Sequence, residues 1–213
     1  GVSGGWNPNV HMTCHQRGRP VWNERLAAFV PGGDLQVGLS VAGAANGGFS
    51  TAAALKTGSA QAAAALRDLG ITARAIRLPK AEDEDVNLAP FWFVKHGKGR
   101  AWLDQQNDVT VKDVRLAHQE NFKSVEHLKR YTTLGMATDQ GKVGNVIGIA
   151  LMAAATGAPV SKTGTTTFRP PYSPISIGAL AGHGVKQHFR PNRLTPLDAW
   201  NKNHNAVMTQ ARS

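Results

Sequence analysis

The sequence predicts an α/β segment, then a small and mainly helical domain, then a tail rich in proline and glycine. Three observations carry that reading. Leu39-Ser40-Val41-Ala42-Gly43-Ala44 reads as a buried strand entering a tight turn, followed by Gly47, Gly48 and an alanine-rich helix. The stretch 107–157 holds three successive helical patterns. The stretch 160–213 breaks short apolar runs with prolines and glycines. The organisation that follows is residues 1–70, a connector over 71–104, a helical domain over 105–160, and an extended segment with the opening of another module over 161–213.

The first helix is expected from Ser50 or Thr51 to about Asp68. Ala52, Ala53, Ala54 and Ala62 to Ala65 favour it, Ser50 and Thr51 are N-cap candidates, and Gly70 is the expected stop. A strand, a glycine turn and a helix start together suit a phosphate, because the free N–H groups at the helix start attract negative charge. Glycine in such a turn serves packing as readily, and the pattern leaves both uses open.

The connector contains Pro79, Pro90, the acidic run Glu82-Asp83-Glu84-Asp85 and the basic turn Lys95-His96-Gly97-Lys98-Gly99. Within it, Phe91-Trp92-Phe93-Val94 reads as a packing strap. In the helical domain Thr110 is an N-cap candidate, with Asp113 in the first turn where the helix dipole favours an acid. Val111, Val114, Ala117 and His118 share a face. Ser124, preceded by Phe122, opens a second helix over Val125 to Tyr131. A third, apolar nearly all round and so expected to be buried, runs from about Asn145 to Thr156 and ends at Gly157 and Pro159. In the tail, Arg169 to Pro174 is expected to be extended, Ile175 to Leu180 to form a strand, and Thr195 to Trp200 to open a capped helix with Pro196 first.

Composition narrows the function. The 213 residues carry a formal charge of +10. The basic residues are scattered, with no interleaved stacking aromatics, which favours an acidic partner or a phosphate-bearing cofactor over nucleic acid. Cys14 is alone, so an internal disulfide and a cysteine-only metal or iron–sulfur site are excluded; a reduced, partly buried thiol fits a cytoplasmic setting. None of the eight histidines pairs with a carboxylate at metal-site spacing, and no metal site is expected. No apolar run is long enough to span a bilayer. There is no Gly-x-Ser-x-Gly elbow, and no Gly-x-Gly-x-x-Gly follows a strand, so the front half of a Rossmann unit is not expected here. The Gly1 start and the new apolar segment Ala206-Val207-Met208 near the end read as a piece of a longer chain.

Several stretches together resemble one family. Val2-Ser3-Gly4-Gly5-Trp6-Asn7-Pro8-Asn9 looks like a strand and turn of two-dinucleotide-binding-domain flavoproteins. Val41-Ala42-Gly43-Ala44 resembles their final Ala-x-Gly-Asp motif, with Ala44 in place of the acid. More specific are Gln106 to Ala117, Ser124 to Thr133, Gly135 to Lys142 and Gly164 to Tyr172, which are similar to the helical domain of the alpha subunit of heterotetrameric sarcosine oxidase. Arg193-Leu194-Thr195-Pro196-Leu197 looks like the opening of the folate-binding aminomethyltransferase module, an α+β domain.

The resemblance implies a subunit of an oxidase that demethylates sarcosine to glycine with hydrogen peroxide and passes the one-carbon unit to tetrahydrofolate. It implies NAD in the nucleotide domain, FMN shared with the beta subunit, FAD in the beta subunit, tetrahydrofolate in a downstream domain, and beta, gamma and delta subunits as partners. No catalytic residue is carried over onto this chain. Gly43, Ala44, Phe49 and Thr51 are carried over as nucleotide contacts; loss of the acid at Ala44 is consistent with NAD in place of FAD. Thr133 and Lys142 are expected near the shared FMN. Related flavin-dependent amino-acid or opine dehydrogenases, and a non-catalytic module that only binds partner subunits, are the alternatives.

Overall fold

The computed structural model describes residues 7–33, 35–86, 88–168, 173–189 and 194–209. The chain divides into two compact units, Gly1–Ser173 and Pro174–Ser213. The first unit runs β1 (Val21–Asn23), β2 (Ala28–Val30), α1 (Thr51–Asp68), β3 (Trp102–Asp104), β4 (Val109–Thr110), α2 (Val111–Gln119), α3 (Val125–Thr132), α4 (Asn145–Thr156) and the short α5 (Val160–Thr163).

Its core is built on the helical domain expected from the sequence. Val111, Val114 and Ala117 recur at three-residue spacing and bury one face of α2. The Asp113 carboxylate accepts hydrogen bonds from the N–H and the hydroxyl of Thr110, both at 2.7 Å, and closes the helix start. The Ser124 hydroxyl accepts from the His127 N–H and opens α3. Phe122 packs on Tyr131, their ring centroids 4.8 Å apart. Helix α4 has the expected limits, buries Ile149, Ala150, Met152 and Ala153, and stops at Gly157 in the left-handed region.

Two antiparallel hairpins close on these helices. In the first, β1 and β2 set Trp22 opposite Phe29, and Phe29 enters the core. In the second, β3 and β4 deliver Leu103 and Val109 to it, with a register irregularity between Trp102 and Asp104. The strap expected over Phe91–Val94 does pack: Phe93 lies against the core under the Arg115 guanidinium, and Trp92 lies 6.2 Å from Trp22.

Helix α1 also has the expected limits. Ser50 caps it, and the N–H groups of Gly70 and Ile71 bond back to Arg67 and Leu66 at its end. The strand expected before it is not formed. Leu39 to Ala42 pair with no neighbour, and Gly43–Asn46 is a 3-10 turn. A strand needs a partner backbone to exchange hydrogen bonds with, and among the described residues none lies beside this one. Consistently, no residue of α1 is buried.

The second unit contains α6 (Ile177–Ala181), a 3-10 segment over His183–Phe189, and α7 (Asp198–Asn203). The strand expected over Ile175 to Leu180 is instead the helix α6. The Ser176 hydroxyl accepts from the Ala179 N–H, a local bond that favours a helical turn where no strand partner exists. Thr195 and Pro196 form a turn, the Asp198 N–H donating to the Thr195 carbonyl, so α7 begins after the proline and not with it. The extended run expected from Arg169 falls largely on residues 169–172, outside the described residues.

Candidate functional site

The turn between α3 and α4 is held by side chains of the β3–β4 hairpin. Asp104 is buried. One of its carboxylate oxygens accepts from the N–H groups of Gln106 and Asn107, at 2.9 and 3.0 Å, and the other accepts from Gly135, at 3.3 Å. Gln106 then accepts from both the N–H and the hydroxyl of Thr138, and the Asn107 amide donates to the Thr133 carbonyl. One short hairpin loop thus fixes a turn that has little regular structure of its own.

The far side of the turn is fixed by Asn145. Its side chain lies over Gly135 and Gly141, which have φ of +73° and +76°. Both glycines are required twice: the left-handed region disfavours other residues, and a Cβ would stand within 2.2 Å of the Asn145 side chain.

Beside this turn lies a cavity of about 80 Å³, whose wall includes Phe29, Lys142, Asn145, Thr165, Thr166 and Phe168. The Asn145 amide is 3.5 Å from the Thr166 hydroxyl. The segment carrying Thr165 to Phe168 is tied down by Glu126, whose carboxylate accepts from the Thr167 N–H and pairs with Arg130 at 3.2 Å. Burial alone would raise the Glu126 carboxyl, but its hydrogen bonds from Thr167, with Lys129 and Arg130 nearby, hold it below the ordinary carboxylate range. A depressed carboxyl stabilises the fold above its unfolded pKa, and that contribution disappears as pH falls through the folded value. Glu126→Gln is therefore expected to cost roughly 1 kcal/mol at neutral pH and to flatten the acid limb of stability. Urea denaturation at pH 7 and pH 4 checks this; an equal cost at both would contradict it.

His11 also faces this region. Its Nδ1 lies 2.8 Å from the Asn9 side-chain oxygen. Burial first, then the positive charges of Lys142 and His15, holds the His11 imidazole below its ordinary value. Lys142 is therefore close enough to His11 for its charge to be felt there. His11 and Lys142 are far apart in sequence, and tertiary folding alone brings them near each other. Nearby, the half-buried Cys14 thiol donates to the Val10 carbonyl, and burial pushes it up against a hydrogen bond with Thr13. Among the described residues no group of three or more His, Cys, Asp or Glu side chains could hold a metal ion. No helix among them is long and apolar enough to cross a membrane.

The six expected cofactor contacts fall in two places. Lys142 lines the cavity; Thr133 is exposed at the other end of the turn, ends α3 with φ of +62°, and does not line it. Gly43, Ala44, Phe49 and Thr51 are together at the start of α1. The Gly43 N–H donates to the Thr57 hydroxyl at 3.0 Å, Ala44 and Thr51 are exposed, and Phe49 is half-buried. One partner there was not foreseen. The Ser50 hydroxyl donates to Asp83 of the acidic run at 2.5 Å, so a carboxylate already stands at the positive end of the helix.

Residues 98–183, which carry the whole clamp, Lys142 and Asn145, match the sarcosine oxidase A3 domain. The sarcosine oxidase subunit alpha of Rhizobium meliloti (strain 1021) is 46% identical over 211 residues, covering 98% of this chain and 21% of that protein. The chain belongs to the sarcosine oxidase alpha-subunit family. Two further members of the family, from Corynebacterium sp. strains P-1 and U-96, are 39% and 40% identical and cover 93% and 96% of the chain. The chain spans about a fifth of the length of these alpha subunits, 21–22%. The fold is shared beyond the family: L-proline dehydrogenase from P. horikoshii superposes with a TM-score of 0.61 at 21% identity, over 84% of this chain and 38% of that one.

Proposed function

We propose that this chain is a cofactor-holding and interface-forming part of an alpha subunit whose assembled enzyme oxidatively demethylates sarcosine to glycine with hydrogen peroxide, and passes the one-carbon unit to tetrahydrofolate. The organisation proposed is the end of a nucleotide-binding domain over 1–70, a connector over 71–104, the helical domain over 105–160, and the start of a folate-binding module over 161–213. The observation that carries the cofactor role is Lys142 on the rim of a cavity with Asn145, Thr165 and Thr166 in its wall.

A cavity of about 80 Å³ suits a phosphate group and is too small for a flavin ring. Lys142, with Asn145 and the two threonines in an otherwise largely apolar wall, would take the phosphate end of FMN shared with a beta subunit, with the ring outside. FMN held there would pass electrons between the flavin centre and the acceptor. In this reading Lys142 neutralises phosphate charge, and Asn145 and the threonines orient its oxygens. Thr133 acts on the cofactor only through the turn it starts.

The start of α1 is proposed as an NAD contact. Asp83 keeps a second negative charge away from Ser50. The contacts left are those of ribose and base: the exposed Thr51 hydroxyl, the Phe49 ring, and the close approach allowed at Gly43 and Ala44. FAD is assigned to the beta subunit and tetrahydrofolate to the downstream domain. Other subunits are implied because the relatives are named as subunit alpha.

Lys142→Ala in the assembled enzyme is expected to weaken flavin retention about tenfold or more, the effect of removing a charge-assisted hydrogen bond. Flavin content after gel filtration and the rate of electron transfer are the readouts. If both stayed at the wild-type level, the phosphate reading of this cavity would be wrong.

A further inference from the structure

The first unit has a second, larger concavity of about 1410 Å³ on which the cofactor reading does not draw, apart from Lys142 at its edge. Its walls come from the aromatic strap and the basic turn after it, from α2, and from the start of α4. Two features set it apart. It is apolar and open: Phe91 is 63% exposed, Trp102 40% and Val143 74%. It is also positively charged: Lys95, Lys98, Arg100, Lys112 and Arg115 all line it.

The acids in the same walls are Asp108 and Asp113, and Asp113 is already engaged by Thr110. None of the five cations forms an ion pair among the described residues. The two guanidinium groups lie over aromatic rings, Arg100 over Trp102 at 5.6 Å and Arg115 over Phe93 at 5.4 Å. Stacking holds each guanidinium in place while leaving its N–H edge for a carboxylate. Aromatic rings and arginines together are also the residue types that dominate binding energy where proteins meet.

We infer that this groove docks an acidic, partly apolar polypeptide segment of a partner subunit. The occupant follows from charge complementarity. Five cations on two separate segments, the loop over 95–100 and α2, match carboxylates spaced along a chain better than one concentrated phosphate. The start of α2, which faces the groove, is closed by the Asp113 carboxylate, which repels phosphate. The inference deepens the reading of this chain as an interface, and it places the partner on the strap and α2, beside the small cavity, with which the groove shares Lys142.

The test uses the full-length alpha subunit assembled with its partner subunits. Lys98→Glu with Arg100→Glu is expected to raise the dissociation constant for assembly at least tenfold at about 0.15 M salt, as like charges replace opposite ones. Lys98→Arg with Arg100→Lys, which keeps the charge but gives up the stacked guanidinium, should weaken assembly far less than the charge reversal and shows that the fold survives substitution here. Carbodiimide coupling of the wild-type complex should join Lys98 or Lys112 to Asp or Glu of a partner subunit. Couplings confined to the alpha chain, or joining two alpha chains, would overturn the inference. So would normal assembly of the reversed variant with loss of a nucleotide or flavin, which would make the groove a cofactor site. Flavin content measured on the same samples separates this result from that of Lys142→Ala, which is expected to lower flavin and leave assembly intact.

Discussion

Asp104→Ala is expected to destabilise the first unit by about 3 kcal/mol, since three backbone N–H donors lose their acceptor and one of them is on a buried residue. The loss should concentrate in the turn between α3 and α4. Gly135 is held there by Asp104, and Asn107 and Gln106, which hold Thr133 and Thr138, are themselves positioned by it. Amide hydrogen exchange at Gly135 and Thr138 should speed up more than exchange in the middle of α4. Asp104→Asn keeps one acceptor oxygen but turns an NH₂ group toward a donor, so roughly half the effect is expected. Denaturation midpoints with exchange rates decide the matter. Uniform loosening of all three helices would show that Asp104 supports the core and not the turn in particular.

Gly141→Ala is expected to have a similar total cost, about 3 kcal/mol, from two separable sources. Placing a Cβ at φ of +76° costs about 1–2 kcal/mol by itself. The remainder comes from the Asn145 amide, 2.0 Å from where the Cβ would stand. The second source can be removed. In an Asn145→Ala background Gly141→Ala should cost only the conformational part, giving a coupling of roughly 1 kcal/mol or more in a double-mutant cycle. Equal costs in the two backgrounds would refute the packing account. Because Gly141 precedes Lys142, the single variant should also lower flavin retention in the assembled enzyme, whereas the double variant loses the Asn145 contact and tests whether the lysine alone suffices.

Both predictions concern a turn whose importance was partly legible. The run Gln106-Asn107-Asp108 and the stretch Gly135 to Lys142 carried the family resemblance, but their sequence separation hid what joins them. Gln106 meets Thr138, and Asn107 meets Thr133, only because the hairpin folds back over the end of α3. The same is true of Glu126 and Thr167, and of His11 and Lys142. Pairs so far apart leave no periodic signal in a single chain. The two hairpins were invisible for another reason. Their strands have two or three residues, too few for an alternating pattern to register.

What the sequence determined by itself was local. The caps at Ser50 and Ser124, the Thr110 start closed by Asp113, the stop at Gly157 and the apolar faces of α2 and α4 are set by residues within a few positions of one another, so α1 and α4 begin and end, and α2 and α3 begin, where expected. Two of the expectations that were not met, Leu39 to Ala44 and Ile175 to Leu180, were strands. A strand is completed by a partner that its own residues do not specify, and without one the backbone satisfies itself in turns and short helices. Tertiary structure alone decided that Asp83 would bond to the Ser50 cap, that Lys142 would reach a cavity, and that five cations would line one aromatic groove. Each depends on bringing distant segments together, where burial and charge act across space and not along the chain.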